Sequence, residues 1–198
     1  FSDLGFIRMI ELKFATPMIW AEGVVGSMDQ FLPDHAAAEK KASSMAMGMV
    51  AHYPDKRELV NAMMDLALEE LSHFRAVVKL MNERDLILQP DQKDGYVNAL
   101  RKQIRHGKDH YFLDRMLVAG IVEARGAERF GMVADALPTG QLKRFYRSIA
   151  RSEREHQGLF VNLAERYFDA ETVAQRLDEL LIAEGEIVSN LPIRVALH

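Results

Sequence analysis

The sequence contains no cysteine. That absence excludes disulfides, zinc ribbons, cysteine-ligated iron–sulfur clusters and a thiol nucleophile, so any metal must be held by carboxylates and imidazoles. Long apolar runs are missing too. None approaches the roughly 20 residues needed to span a bilayer, and residues 1–14 lack a basic-then-apolar signal pattern, so a soluble cytoplasmic protein is expected. Proline is sparse, at 6 in 198 residues. The breaks that do occur, at Pro17, Pro33, Pro54, Pro90, Gly95, Pro138, Gly140 and Pro192, punctuate the chain instead of interrupting every element. The two-residue alternation of a half-buried strand is not found.

What remains is helical periodicity. A chain of 198 residues, 48% hydrophobic, can bury one substantial core, and its length favours a single domain over 1–198. The pattern predicts a short helix over 17–28, main helices over 33–52, 55–84, 109–137 and 139–168, and a final helix over 171–189. A long connection, 85–108, separates the second and third main helices and carries a short helix over 96–105. The net charge of −4 by itself discriminates little.

Each main helix carries an apolar seam broken by acid or imidazole. One seam reads Leu59, Met63, Leu66, Glu70, His73, Val77 and Leu80; another reads Leu142, Tyr146, Ile149, Glu153, His156, Phe160 and Leu163. The other two read Leu32, Ala36, Glu39, Ala42, Ala46 and Met49, then Met116, Gly120, Glu123, Ala127, Phe130 and Leu137. A lone Glu-x-x-His means little, because 16 Glu and 7 His in this length give about 0.6 such pairs by chance. Arrangement carries more. Glu39 precedes Glu70 by 31 residues and Glu123 precedes Glu153 by 30, with the halves offset by 84 and 83, as in a duplicated helix pair.

Residues three apart on a helix lie about 60° apart around the axis, so each Glu and His can point to one centre. Ionised groups on core seams are costly unless neutralised, and no Lys or Arg occupies these seams. Bound cations solve the problem. One Glu from each of two helices plus Glu-x-x-His from each of the other two is the ligand set of ferritin-like di-iron and di-manganese proteins. The expected fold is therefore all-α, a ferritin-like four-helix bundle with a long crossover and additional N- and C-terminal helices. The expected metal ligands are Glu39, Glu70, His73, Glu123, Glu153 and His156. Such donors suit iron or manganese, and dioxygen chemistry on this fold favours iron.

Other residues have two readings each. His35, one turn before Glu39, is either a hydrogen-bond partner of that ligand or a plain helix residue. Tyr146, two turns before Glu153, either donates to a ligand or packs in the core, the latter being favoured. Ala119, Gly120, Gly126 and Ala127 around Glu123 leave open volume or allow close packing. Glu69, Glu128 and Glu155, off the seams and beside Arg75, Arg125, Arg129 or Arg151, read as surface ion pairing.

The segments Asp34-His35-Ala36-Ala37-Ala38-Glu39-Lys40-Lys41-Ala42, Glu69-Glu70-Leu71-Ser72-His73-Phe74, Glu123-Ala124-Arg125-Gly126-Ala127-Glu128-Arg129-Phe130 and Ser152-Glu153-Arg154-Glu155-His156 resemble the tRNA 2-methylthio-isopentenyladenosine hydroxylases. The resemblance spans nearly the whole chain. It implies a non-haem di-iron monooxygenase that uses dioxygen and electrons from an external reductase to hydroxylate the isopentenyl side chain of a modified adenosine beside the anticodon. By the same resemblance the six residues are iron ligands. The chain departs from the family pattern at Gly126-Ala127, where Ser-Cys is common, and at Gln157, where an aromatic often follows the histidine. A tRNA substrate should leave basic patches, and two sets qualify: Arg101, Lys102, Arg105, His106 and Lys108, then Lys143, Arg144, Arg147, Arg151 and Arg154. Solvated helix charge is the competing account of both. Ferritin-type iron handling and a manganese catalase on the same bundle are the alternative functions.

Overall fold

The structure is a computed structural model and describes residues 9–198. The signal-pattern expectation concerns 1–14, of which 1–8 lie outside the described residues. The described chain forms α1 (Met18–Val25), α2 (Met28–His52), α3 (Arg57–Asn82), α4 (Gly95–Arg101), α5 (Lys108–Ala136), α6 (Gln141–Tyr167) and α7 (Ala170–Asn190), with no strand among the described residues. Contacts divide the described residues into two compact units, one of 22–92 with 194–197, the other of 9–21, 93–193 and 198.

In the first unit α2 and α3 pack as a hairpin across the short 53–56 connection. Leu32, Ala36, Ala46 and Met49 of α2 and Leu59, Met63, Leu66 and Val77 of α3 are buried, as the seams require. The Ser43 hydroxyl donates to the Ala67 carbonyl at 2.8 Å, tying the two helices at mid-length. α2 begins at Met28, ahead of Pro33 where the sequence placed its start. A proline this near a helix N-terminus forfeits one backbone bond without ending the helix. The chain after α3 is pinned back on α2, where Lys41 donates to the Gln92 carbonyl at 2.9 Å and Lys40 pairs with Asp91 at 2.8 Å.

In the second unit α5 and α6 form the equivalent hairpin, and α4 and α7 pack against α5. Asp169 caps α7, accepting from the Thr172 amide at 2.8 Å, and Asp94 caps α4, accepting from the Val97 amide at 3.0 Å. α4 stops at Arg101, short of the predicted Arg105, because the chain there turns to give the Arg105 amide to buried Asp114 at 2.9 Å. The Arg105 and Arg176 guanidiniums complete that carboxylate's shell at 2.8 to 3.0 Å. Burial alone would raise the Asp114 carboxyl, but the two arginines outweigh it and hold it below its usual range.

One cluster contradicts the surface-pairing expectation. Arg125 is fully buried. It donates to both oxygens of buried Glu184, at 2.8 and 3.0 Å, to the Phe14 carbonyl at 2.8 Å, to Thr16 Oγ1 at 3.1 Å and to Glu128. Tyr96 also donates to Glu184, at 3.1 Å. The reason is packing: α5 has neighbours on most of its circumference, so Arg125 on its far side meets α7 and the 9–16 segment instead of water.

Candidate metal centre

In the α2/α3 unit, Glu39 and Glu70 occupy facing seams, and His73 lies one turn beyond Glu70. His73 Nδ1 is 3.6 Å from Glu39 Oε2 and 3.5 Å from Glu70 Oε2. One ligand atom from each of Glu39, Glu70 and His73 lies within 4.8 Å of the others, close enough to share an ion. His35 Nε2 donates to Glu39 Oε1 at 2.6 Å inside the helix pair. Burial works against a charged His73 imidazole, but the Glu39 and Glu70 carboxylates beside it prevail and raise it from 6.5 to about 10. Without a metal, a proton thus serves as the cation these carboxylates demand.

The α5/α6 unit repeats the arrangement with Glu123, Glu153 and His156, again within 4.8 Å of one another. His156 Nδ1 lies 3.5 Å from Glu123 Oε2, and its Nε2 lies 3.5 Å from the Ser152 hydroxyl. Gly126 has a definite role here: a Cβ at that position would stand 3.0 Å from Glu153 Oε2, so the missing side chain makes room for the carboxylate. Gly120 does similar work against α6, where a Cβ would come within 3.2 Å of Phe160 Cβ.

The donor chemistry fits metal. Glu39, Glu70, Glu123, Glu153 and His156 are only 3, 1, 4, 6 and 4% exposed. Acids buried to this degree need a cation, and two carboxylates plus one imidazole per triad suit a divalent iron or manganese ion.

The remaining sequence candidates separate. Tyr146 is fully buried, and its ring stacks on Phe130 at 5.8 Å, with Phe145 edge-on at 5.2 Å. Of the basic residues, Arg105 is committed to Asp114, and Lys143 caps the end of α5 by donating to the Asp135 and Leu137 carbonyls at 3.1 and 2.9 Å. Arg151 pairs loosely with Glu155 at 3.3 Å, and Arg147 lies 3.8 Å from Asp135. Arg101, Lys102, Lys108, Arg144, Arg147, Arg151 and Arg154 are exposed. Gln157, where the family pattern has an aromatic, accepts a hydrogen bond from the Ile10 amide at 3.0 Å and so anchors the segment leading into α1. No local pattern marked the Arg125–Glu184 or Arg105–Asp114–Arg176 clusters. A buried-looking Arg on a small-residue helix was the one available signal.

The family model described as tRNA-(MS[2]IO[6]A)-hydroxylase (MiaE) matches residues 7–198. The chain is 33% identical over 175 residues to the tRNA 2-(methylsulfanyl)-N(6)-isopentenyladenosine(37) hydroxylase of Pseudomonas putida, covering 88% of this chain and 85% of that protein. It is 30% identical to the Salmonella typhimurium protein of the same name, covering 79% of this chain and 57% of that one. A solved structure described as protein 43 with aldehyde deformylating oxygenase activity from Synechococcus superposes with a TM-score of 0.89, at 35% identity over 94% of both chains. The fold class is all-α and ferritin-like, as the spacing of Glu and His along the four seams predicted.

Proposed function

We propose that this chain, which belongs to the tRNA-(MS[2]IO[6]A)-hydroxylase (MiaE) family, hydroxylates the isopentenyl side chain of 2-methylthio-isopentenyladenosine beside the anticodon of tRNA. The observation that carries the reading is the pair of buried Glu plus Glu-x-x-His triads in a chain matched by the family over nearly its full length. Glu39, Glu70 and His73 with Glu123, Glu153 and His156 would hold two iron ions, manganese being the competitor. A single ferritin-like di-iron domain over 1–198 is part of this reading, supported by the family match over residues 7–198. Iron there would supply the redox chemistry by which dioxygen, two electrons from an external reductase and two protons give one hydroxyl group on the substrate and one water.

The chain's own residues do the rest. Apolar seam residues above and below the triads exclude water, which suits an apolar, allylic side chain as substrate. Exposed Arg144, Arg147, Arg151 and Arg154 run along α6, the helix that carries Glu153 and His156, and would bind the phosphate backbone. A tRNA substrate puts the protein in the cytoplasm. Among the described residues no helix is long and apolar enough to cross a membrane.

The test is nucleoside mass spectrometry after incubation with isopentenylated tRNA. Hydroxylated nucleoside should form only when iron, dioxygen and reductant are all present; turnover without any one of them would refute the proposal. Glu70→Ala and Glu153→Ala should each abolish paired metal uptake, and metal content like the wild type in both would overturn the ligand assignment. A second reading rests on the Synechococcus protein's described activity. Deformylation of an aldehyde, with no change in tRNA, would favour it instead.

A further inference from the structure

The two triads are not equivalent, and the difference lies one helical turn before the first glutamate of each. With the sequence offset of 84, Glu39 corresponds to Glu123, His35 to Ala119, and Ala42 to Gly126. Residues four apart share a helix face, so whatever stands at 35 or 119 meets the ligand carboxylate. In α2 that residue is an imidazole. His35 is fully buried, its ring lies against Phe31 at 5.9 Å between centroids, and its Nε2 is 2.6 Å from Glu39 Oε1. A carboxylate can only accept, so Nε2 carries the hydrogen and donates. Glu39 Oε2 is turned the other way, toward His73 Nδ1 at 3.6 Å. In α5 the corresponding residue is Ala119, which has no donor. One turn beyond Glu123, Gly126 leaves space at 3.0 Å from Glu153 Oε2 where Ala42 in the other half already has its Cβ.

From this we infer that His35 is a positioning residue: it holds Glu39 Oε1 in a hydrogen bond, leaves Oε2 as that side chain's single metal-binding oxygen, and makes the α2/α3 ion the fixed member of an unequal pair. The inference rests on the metal centre proposed above. A charge-assisted bond of this length reduces what Oε1 can offer a second acceptor. Partners of this kind, behind the ligands, orient them and set their affinity. Behind Glu123 of the α5/α6 triad, Ala119 has no hydrogen to donate, so that carboxylate lacks the bond His35 gives Glu39.

The experiment is a Co2+ titration of metal-free protein, followed by calorimetry and visible absorption, for wild type, His35→Ala and His35→Gln. Wild type should bind two ions per chain in two distinguishable steps. His35→Ala should still bind two, with one step weakened about 10- to 100-fold and the other nearly unchanged. Its cobalt absorption per ion should fall, because a released Glu39 can chelate with both oxygens and band intensity drops as coordination number rises. His35→Gln, which restores an N–H donor, should recover most of both signals. Affinities and spectrum like the wild type in a folded His35→Ala protein would overturn the inference. So would equal weakening of both steps, or no recovery with Gln. A wild-type chain that takes up no paired ions would overturn the metal centre itself, a result distinguishable from any of these.

Discussion

His73 is where charge and burial meet in a single side chain. Its folded pKa of about 10 lies above the usual 6.5 because Glu39 and Glu70 flank it. A raised pKa means that the metal-free fold gains stability from the imidazolium, in full below about pH 6.5, and loses it as pH rises through about 10. The melting temperature of metal-free protein should therefore fall across that window, and His73→Gln should flatten the fall. A ligand imidazole must be neutral, so loading the α2/α3 triad expels a proton. Calorimetry of metal binding in buffers of different ionisation enthalpy should detect that proton, and apparent affinity should rise with pH up to about 10. Gly126 allows a second test at this scale. Gly126→Ala puts a Cβ 3.0 Å from Glu153 Oε2, tight enough to displace the carboxylate by a few tenths of an ångström. Alanine is favoured over glycine in a helix interior by about 1 kcal/mol. Metal affinity should fall while the melting temperature of metal-free protein holds or rises, a combination that general destabilisation would not give.

Among the elements, α5 departs furthest from an amphipathic surface helix. Its central residues from Phe112 to Phe130 are nearly all buried, and Arg125 lies within that stretch with its charge balanced by Glu184 and Glu128. Removing one partner of a buried ion pair leaves the other charge stranded, at a cost of about 3 to 5 kcal/mol. Arg125→Ala should lower stability by about that amount in urea unfolding. Arg125→Lys should recover only part, because an ammonium cannot reproduce the fork that reaches Glu184, Thr16 and the Phe14 carbonyl together. Arg129, against the Trp20 ring at 5.1 Å, belongs to the same cluster; burial first and then Arg125 lower its guanidinium to about 10. These contacts couple the 9–16 segment, α5 and α7, so loss of Arg125 should also raise hydrogen exchange in 9–16.

Across the whole molecule the net charge is −4, so tRNA must be met by local basic surface and not by overall attraction. The bonds already formed decide which basic residues can serve. Reversing Arg144, Arg147, Arg151 and Arg154 to Glu should weaken tRNA binding and flatten its dependence on salt, measured by filter binding over a salt series. Arg105→Ala should instead reduce stability with little change in RNA affinity, because its guanidinium is spent on Asp114.

The helical fold and the gathering of Glu39, Glu70 and His73, and of Glu123, Glu153 and His156, were legible in the sequence because they are matters of local period. Seam spacing, Glu-x-x-His and the near-equal 31- and 30-residue intervals repeat in one dimension. His35 could be singled out for the same reason, lying one turn from Glu39. The fates of Arg125, Arg105 and Lys143 were not legible. An arginine is tolerated inside a protein only where acceptors arrive to meet it. For Arg125 these come from Glu184, 59 residues on, and Thr16, 109 residues back. Asp114 is satisfied from 9 residues away on one side and 62 on the other. Period and composition state which side chains need partners, whereas only the packed chain decides which distant segment supplies them, and so which charges remain for a substrate.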